Sequence, residues 1–336
     1  MTVVGTFGLS MRDQALEADV QAGLMAVEEG LLEATKSEVP FITQAAQHLV
    51  RAGGKRFRPL LVTLAAQFGD PYAPGVVPSA VVVELTHLAT LYHDDVMDEA
   101  DVRRGVPSAN TRWDNSVAVL TGDFLFARAS HILADLGPDA VRIQAEAFER
   151  LVTGQILETA GPADGRDPVD HYLDVLDGKT GSLIAVSCRF GAMMSGADET
   201  VVDVLTQYGE RLGVAFQLAD DVLDIASDTH ESGKTPGTDL REGIPTLPVL
   251  RLRERADRLG LAEDRELVEL LDGDLGDDDR LAEAVARLRA HPALDLARRD
   301  SVRYAEEARA VLAPLPECEA KAALVELCDA VVHRAG

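Results

Sequence analysis

Apolar residues recur every three or four positions along most of this chain, which is the spacing of an amphipathic helix. The stretch at about 11–35 shows this spacing clearly, with the apolar positions Leu16, Val20, Leu24, Val27 and Leu31. Pro40, Pro59 and Pro248 stand where further helices are predicted to begin, and proline is tolerated in a first helical turn. The helix that begins at Pro40 is predicted to run to Gly53, a loop is predicted at 101–110, and a further helix is predicted at about 114–136. No stretch alternates apolar and polar residues as a half-buried strand does. The sequence therefore predicts an all-α protein.

The predicted helices form one continuous series, so we expect a single domain over residues 1–336. It would consist of an N-terminal helix at about 11–35 and a bundle of mostly antiparallel helices at about 40–336. Hydrophobic residues make up 46% of the chain and aromatic residues only 4%. Alanine and leucine supply much of the apolar content, which favours helix over sheet.

The formal net charge of −25 argues against nucleic acid and against anionic lipid as partners, because both need basic surfaces. No apolar run approaches the roughly 18 residues of a membrane span, and the N-terminus lacks the basic region of a signal peptide. The three cysteines, Cys188, Cys318 and Cys328, are widely spaced and form no metal-binding pattern. We therefore expect a cytoplasmic protein without a transmembrane segment.

Two aspartate clusters share the five-residue pattern Asp-Asp-x-x-Asp. The first aspartate cluster is Asp94, Asp95 and Asp98, and the second aspartate cluster is Asp220, Asp221 and Asp224. Each follows an apolar stretch predicted to be helical, so its first and third members lie one turn apart on the same face. Carboxylates this close repel one another unless a cation bridges them, and Mg²⁺ held by carboxylates and substrate phosphates suits such a cluster. A solvated acidic surface is the alternative, but it does not explain why the pattern occurs twice.

Lysine occurs five times, and three of the five lysines stand beside glycine: Lys55, Lys179 and Lys234. An ammonium group next to flexible backbone suits the oxygens of a phosphate, because glycine also lets backbone N–H groups approach an anion. We interpret these three segments as phosphate-binding loops rather than as chance surface lysines.

Together with Gly53-Gly54-Lys55-Arg56-Phe57-Arg58-Pro59 and Arg103-Arg104-Gly105, these motifs make the chain resemble a trans-isoprenyl diphosphate synthase of the polyprenyl synthetase family. The resemblance implies a helical bundle around a deep central cavity, and usually a homodimer. It also implies a reaction in which an allylic diphosphate loses pyrophosphate and the allylic cation is attacked by isopentenyl diphosphate. Both substrates would then be partners of this chain, with three Mg²⁺ ions in each active site.

The resemblance also assigns roles to individual residues. The metal ligands would be the six aspartates of the two clusters. Isopentenyl diphosphate would be bound by Lys55, Arg58, His87 and Arg104. The allylic diphosphate would be bound by Arg103, Lys179 and Lys234, with Thr180 and Gln217 near the reacting carbons. Lys179, Thr180, Gln217 and Lys234 are thus the candidate catalytic residues.

The chain departs from the family at Gly243-Ile244-Pro245-Thr246, where many relatives carry a lysine in place of Ile244. A contact to the allylic diphosphate is therefore missing or is supplied by another residue such as Arg241. We expect weaker binding of that diphosphate rather than loss of activity, because both aspartate clusters and Lys234 remain.

Ala89 and Thr90, the candidate chain-length residues, are small where short-chain relatives typically place an aromatic ring. A growing chain could therefore pass, which predicts a long all-trans product such as a quinone side-chain precursor. Peripheral contact with a membrane would then serve product release.

Three alternatives remain open at this stage. The chain could be a short-chain synthase that makes farnesyl or geranylgeranyl diphosphate. It could be a class I terpene cyclase, although cyclases lack the basic site for a second diphosphate. It could also be a non-catalytic subunit that modulates a partner, although such subunits generally lose aspartates from one or both clusters.

Overall fold

A computed structural model of the chain describes residue 9, residues 13–226 and residues 236–333. These residues are almost entirely helical, which confirms the predicted all-α fold class. The helices are α1 (Gln14–Ala34), α2 (Pro40–Ala46), α3 (His48–Arg51), α4 (Phe57–Ala66), α5 (Val76–Met97), α6 (Ala109–Arg112), α7 (Asn115–Leu136), α8 (Pro138–Ala160), α9 (Pro168–Leu176), α10 (Ser182–Met194), α11 (Glu199–Ala226), α12 (Thr238–Arg241), α13 (Leu247–Leu259), α14 (Ala262–Leu271), α15 (Asp278–Arg289), α16 (Pro292–Val311) and α17 (Glu319–His333). A five-residue π-helical turn, Asp177–Gly181, connects α9 to α10.

Aspartate side chains cap several helices at their N-termini. Asp13 accepts a hydrogen bond from the backbone N–H of Leu16 at 2.8 Å, and Asp114 accepts one from Val117 at 2.8 Å. Each bond satisfies one backbone donor that has no partner within the helix, and such a cap typically stabilises a protein by about 1 kcal/mol. These signals explain why α1 and α7 begin close to the predicted positions.

Two predicted segments differ from the structure. The segment predicted as one helix from Pro40 to Gly53 is divided into α2 and α3 at Gln47. The predicted loop at 101–110 contains an antiparallel hairpin, in which β1 (Val102–Arg103) pairs with β2 (Val106–Pro107). Its two turn residues, Arg104 and Gly105, have φ of 54° and 75°, and a two-residue hairpin turn of type I′ requires positive φ at both positions.

The described chain forms two compact units, and the first unit comprises residues 1–149, 183–209 and 314–324. Helix α5 is central to it and packs against α7, α4 and α1. All five apolar positions predicted for the first helical face are buried in α1. Tyr92 on α5 is fully buried, and its hydroxyl donates to the Ala45 carbonyl at 2.6 Å and accepts from the Leu49 N–H at 3.2 Å. These bonds fix the first aspartate cluster, which follows Tyr92, relative to α2 and α3.

The second unit comprises residues 150–182, 210–313 and 325–336. In this unit α13 packs against α16, α14 and α9. Its core includes Leu218 and Val222 on α11, two fully buried residues of which the first precedes the second aspartate cluster and the other lies within it. The prediction of a single domain over residues 1–336 stays a prediction.

Helix α7 is the one described helix that is long and apolar enough to cross a membrane, by length and composition only. It carries Asp123 and Arg128 within its length and packs along α5 in the first unit. A third of its apolar window, 33%, is buried. A core helix of a soluble protein meets the same criterion.

Candidate active site

The first aspartate cluster ends α5, where acidic side chains oppose the negative end of the helix dipole. Asp95 is fully buried, and Arg103 on the hairpin donates from Nε to its Oδ1 at 2.6 Å. A second Arg103 nitrogen lies 3.7 Å from Asp98 Oδ2. Burial raises the pKa of Asp95, and the hydrogen bond from Arg103 partly offsets this rise. The sequence offers no basic neighbour within a helical turn, so the hairpin supplies the missing cation.

Arg104 follows Arg103 in the hairpin turn and reaches a different set of partners. Its Nη1 donates to the carbonyl oxygens of Leu49, at 3.2 Å, and Gly53. A Cβ atom on Gly54 would lie 2.8 Å from Arg104 Cζ, so this position has no space for a side chain. Gly54 of the predicted phosphate loop is therefore needed for the approach of an arginine, and both Gly53 and Gly54 have positive φ, which glycine adopts readily.

Arg58, His87 and Arg104 share one strongly basic neighbourhood in the first unit. Burial lowers the pKa of Arg58 to about 10, and Arg104 contributes to the decrease while Glu84 opposes it. The pKa of His87 is lowered well below its ordinary value, first by burial and then by Arg58 and Arg104, so its imidazole is neutral. The Nε of Arg58 is buried and has no hydrogen-bond partner. A buried guanidinium nitrogen without an acceptor is unfavourable, and an anionic ligand would satisfy it.

The sequence analysis predicted Lys55, Arg58, His87 and Arg104 as one group, and it missed Glu84, Arg56 and Glu28. Lys55 is exposed. Glu84 is buried on α5 and Arg56 is buried at the start of α4. One signal for Glu84 was available, because it is the only acidic residue in the apolar run Val81-Val82-Val83-Glu84-Leu85, and a buried carboxylate needs a partner.

In the second unit, three of the predicted residues form a hydrogen-bonded chain. The Thr180 hydroxyl donates to Gln217 Oε1 at 3.2 Å, and Gln217 Nε2 donates to Asp221 Oδ1 at 3.0 Å. The other carboxylate oxygen of Asp221 accepts a hydrogen bond from the Tyr172 hydroxyl. Asp221 is buried, which raises its pKa to about 7 although both donors oppose the rise. Sequence reasoning missed Tyr172, which lies 49 residues from Asp221 and outside every motif.

Asp224 of the second aspartate cluster contacts the backbone at the start of α12. Its backbone carbonyl accepts from the N–H of Gly237 at 3.0 Å, and its carboxylate oxygens lie 3.3 Å from the backbone nitrogens of Thr238 and Asp239. These two bonds place the carboxylate at the start of α12. Arg241, considered above as a replacement for the missing lysine, forms an ion pair with Asp278. The prediction for Lys234 lies outside the described residues.

Lys179 lies in the π-helical turn and pairs with Glu158 on α8, with Nζ 2.6 Å from Oε2. Two glycines allow α8 and the π-helical turn to approach each other closely. A Cβ on Gly154 would lie 2.5 Å from the backbone nitrogen of Lys179, and a Cβ on Gly178 would lie 2.8 Å from the carbonyl oxygen of Arg150. Single π-helical turns are often found at functional sites. The turn thus places Lys179 and Thr180 on consecutive positions of a tightly packed segment.

The donor set fits Mg²⁺ bound together with substrate, rather than a complete protein cage. In the described ranges, no three His, Cys, Asp or Glu side chains converge to form a metal site on their own. Magnesium does not require such a group, because it commonly binds one or two carboxylates and completes its shell with water and substrate phosphates. In each cluster the second aspartate is buried, and Asp95 Oδ2 is a buried oxygen without a hydrogen-bond partner. The first and third aspartates, Asp94 with Asp98 and Asp220 with Asp224, are more accessible.

The two candidate chain-length residues differ in environment. Ala89 is completely buried, whereas Thr90 is half-buried and donates from its hydroxyl to the His87 carbonyl at 2.8 Å. Thr90 and Asp94 lie one turn apart on α5 and share a face. Thr90 is therefore the better placed of the two to meet a chain that extends from the first cluster.

Comparisons with known proteins identify the family of this chain. The family model described as Polyprenyl synthetase matches residues 39–288. A nonaprenyl diphosphate synthase of Mycobacterium tuberculosis is 46% identical over 331 residues, which cover 98% of this chain and 97% of that protein. The crystal structure of a geranylgeranyl pyrophosphate synthase from Corynebacterium glutamicum, complexed with calcium and isoprenyl diphosphate, has 45% identity and a TM-score of 0.86, and the match covers 98% of this chain and 100% of that chain. A decaprenyl diphosphate synthase structure from Rhodobacter capsulatus has 36% identity and a TM-score of 0.85, with coverage of 96% and 99%. This chain belongs to the polyprenyl synthetase family.

Proposed function

We propose that this protein is a Mg²⁺-dependent prenyltransferase that adds isopentenyl diphosphate units to an allylic diphosphate and releases a long-chain all-trans polyprenyl diphosphate. The observation that carries the proposal is the basic neighbourhood of Arg58, His87 and Arg104, three half-buried residues among which the buried Nε of Arg58 has no hydrogen-bond acceptor. The charges of Arg58 and Arg104 repel each other until an anion binds between them. A diphosphate supplies the charge and the acceptor oxygens that the group lacks.

In the proposed reaction the allylic C–O bond breaks and pyrophosphate leaves. The double bond of isopentenyl diphosphate attacks the allylic carbon, and the departing pyrophosphate takes up the proton that is then lost. Lys55, Arg58 and Arg104 hold the diphosphate of isopentenyl diphosphate, and neutral His87 donates one hydrogen bond to it. Arg103, Lys179 and Lys234 bind the allylic diphosphate. Thr180 and Gln217 turn their dipoles toward the reacting carbons.

The accessible members of each cluster, Asp94, Asp98, Asp220 and Asp224, would hold Mg²⁺, with three ions as the expected number. Asp95 and Asp221 would orient their clusters and remain candidates for direct ligation. Bound Mg²⁺ neutralises the charge that develops on the departing pyrophosphate. The protein's own contribution is to keep these carboxylates and cations fixed before the substrate arrives, which lowers the reorganisation needed in the transition state.

Support for a long product comes from two sources. Ala89 and Thr90 leave the face next to the first cluster without an aromatic ring. Two of the relatives described above are named as nonaprenyl and decaprenyl synthases. A short-chain product is the second candidate, because the geranylgeranyl synthase is almost as similar in sequence as the nonaprenyl synthase. Overall identity therefore does not decide chain length.

We also propose a cytoplasmic homodimer in which α7 contributes to the subunit contact, with membrane contact limited to product release. Val119 and Leu120 are exposed on α7, and Leu120 has 66% of its surface accessible. Apolar side chains in this position favour contact with a second copy of the chain. A charge at Leu120 (Leu120→Glu) should shift the protein toward monomer in sedimentation experiments. Glu at exposed Ser130 on the same helix is the matched control.

The test of the main proposal uses purified protein, Mg²⁺, radiolabelled isopentenyl diphosphate and either geranyl or farnesyl diphosphate, with the dephosphorylated products sized by chromatography. Long polyprenols are expected. Products of three or four units would support the short-chain candidate. Pyrophosphate release without isopentenyl diphosphate would indicate a cyclase, and activity only after addition of a partner chain would indicate a modulating subunit. No turnover with either primer would contradict the proposal.

A further inference from the structure

Arg56 and Arg104 both adopt the left-handed backbone conformation, with φ of 49° and 54°. In the described part of the chain, Glu99 is the one other non-glycine residue with positive φ. Such conformations are unfavourable for side chains with a Cβ and persist only where the surrounding structure enforces them. Both arginines belong to turns that contribute to the basic neighbourhood, one at the start of α4 and one in the hairpin. What enforces them is therefore relevant to the site.

Glu84 connects the two turns. Its Oε1 accepts a hydrogen bond from Arg56 Nη1 at 2.9 Å and lies 3.7 Å from Arg104 Nη2. The carboxylate is almost completely buried, with 1% of the residue exposed. A buried carboxylate between two guanidinium groups is a strong constraint, because moving either arginine leaves an uncompensated charge away from water.

Arg56 is saturated by protein acceptors and has nothing left for a ligand. Its Nε and Nη2 bond to the two oxygens of Glu28, with Nη2 at 3.2 Å from Oε2, and Nη2 also donates to the Val50 carbonyl at 3.0 Å. Its Nη1 donates to Glu84 and, at 3.5 Å, to the Gly53 carbonyl. These are all five N–H donors of a guanidinium group. Arg58 differs, because its buried Nε has no partner.

The charges of the group follow from these contacts. Three guanidinium groups, those of Arg56, Arg58 and Arg104, share two carboxylates, so one positive charge is left over before any ligand binds. Glu84 acts on Arg58 and Arg104 in the sense that keeps each charged despite burial. Without Glu84 the three cations would repel one another at close range with only Glu28 to compensate them.

We propose that Glu84 is a positioning residue for the isopentenyl diphosphate site: its carboxylate locks the Arg56 turn and the Arg104 turn together, so that Arg58 and Arg104 point their remaining donors at one diphosphate. The inference rests on the proposed function, because it assumes that this group binds a diphosphate. Glu84 itself touches no substrate. It acts through the two arginines on either side of it.

The test is Glu84→Gln, which keeps the shape of the side chain and removes its charge. The Michaelis constant for isopentenyl diphosphate should rise about tenfold, whereas the constant for the allylic diphosphate should change less than about twofold. A purely structural role would lower the melting temperature and the active fraction but leave the ratio of the two constants unchanged. A purely electrostatic effect would tighten binding of isopentenyl diphosphate, because the site becomes more positive. Either of these two results would overturn the proposal.

A double-mutant cycle with Arg104→Lys separates direct from indirect action. If Glu84 works through Arg104, adding Glu84→Gln to Arg104→Lys should weaken the binding of isopentenyl diphosphate by at most about twofold. Additive losses would contradict the proposed route. Glu33→Gln is the matched control, because Glu33 lies exposed on α1 and pairs with Lys36.

Glu28→Gln provides a second test if Glu84→Gln does not fold. Glu28 is half-buried and bonds the far side of Arg56, so its loss should raise the same Michaelis constant by a smaller factor. An unchanged constant in Glu28→Gln would overturn the proposal. Wild-type protein is assayed in parallel: if it shows no condensation, the proposed function fails, whereas an active wild type with unaffected variants contradicts only the role of Glu84.

Discussion

Thr90→Phe should shorten the product of this enzyme. Thr90 precedes Asp94 by four residues in α5, so it lies about 6 Å from the aspartate along the helix axis. Extended covalent chains advance roughly 1.2 Å per bond, which gives roughly 5 Å for the four bonds of one isoprene unit. A ring at Thr90 therefore meets the growing chain within its first few units. We expect products of about three or four units in place of long polyprenols.

The substitution should be tolerated by the fold. Thr90 is half-buried, so part of the added ring can occupy accessible space, and the stability loss should remain at or below the roughly 1–3 kcal/mol typical of overpacking. Ala89→Phe is also predicted to shorten the product. However, Ala89 is completely buried, and a ring there should cost more stability. Thr90→Phe thus gives the cleaner measurement.

The assay extends geranyl diphosphate, which has two isoprene units, with radiolabelled isopentenyl diphosphate and compares product lengths at equal turnover. Val302→Phe serves as the control, because Val302 is an exposed apolar residue on α16, a helix that carries none of the candidate site residues. The control should give the wild-type length. Unchanged length in Thr90→Phe, with normal folding by circular dichroism, would show that the chain does not pass this face of α5.

Three further outcomes are expected. Tyr172→Phe removes one hydrogen-bond donor from buried Asp221 and should lower the free energy of unfolding by about 1–3 kcal/mol. It should also raise the Mg²⁺ concentration needed for half-maximal activity. An unaltered Mg²⁺ titration would contradict a role for Tyr172 at this cluster. Chelation of Mg²⁺ by EDTA should abolish condensation reversibly, and activity in EDTA would contradict metal dependence. The pKa of His87 is lowered in the folded state. As the pH falls below about 6.5, the ordinary pKa of histidine, His87 therefore takes up a proton in the unfolded chain but not in the folded chain. Stability that is present above about pH 6.5 is thus lost as the pH falls. Between about pH 7.5 and about pH 5.5 the wild type should therefore lose up to about 1.4 kcal/mol more unfolding free energy than His87→Gln in urea titrations, and equal losses would contradict a neutral, enclosed imidazole.

The helices could be predicted from the sequence because their signals are local. The apolar positions of α1 recur with helical spacing and are all buried in the structure. Asp13 and Pro40 mark helix starts through short-range effects that need no tertiary information. The prediction of one helix from residue 40 to residue 53 was wrong for a related reason, because nothing in the local pattern marks the interruption at Gln47.

The partners of the site residues could not be predicted, because they depend on contacts between distant segments. Arg103 reaches Asp95 only because Arg104 and Gly105 form a tight turn with positive φ. Tyr172 reaches Asp221 across 49 residues of sequence. A sequence motif identifies the residues that bear the reactive groups, but it does not identify the neighbours that hold them in place.

The two aspartate clusters show how much these neighbours matter. Each places three carboxylates near the C-terminal end of a helix, where the helix dipole disfavours negative charge. In both, the second aspartate is buried and accepts a hydrogen bond from another segment of the same unit, Arg103 for Asp95 and Tyr172 for Asp221. The donors differ: Arg103 carries a full positive charge, whereas Tyr172 and Gln217 are neutral. Burial raises the pKa of both aspartates, that of Asp221 to about 7, and the charge of Arg103 offsets part of the rise at Asp95. The two identical motifs therefore differ in the groups that surround them, and the first cluster is the better compensated of the two before any cation binds.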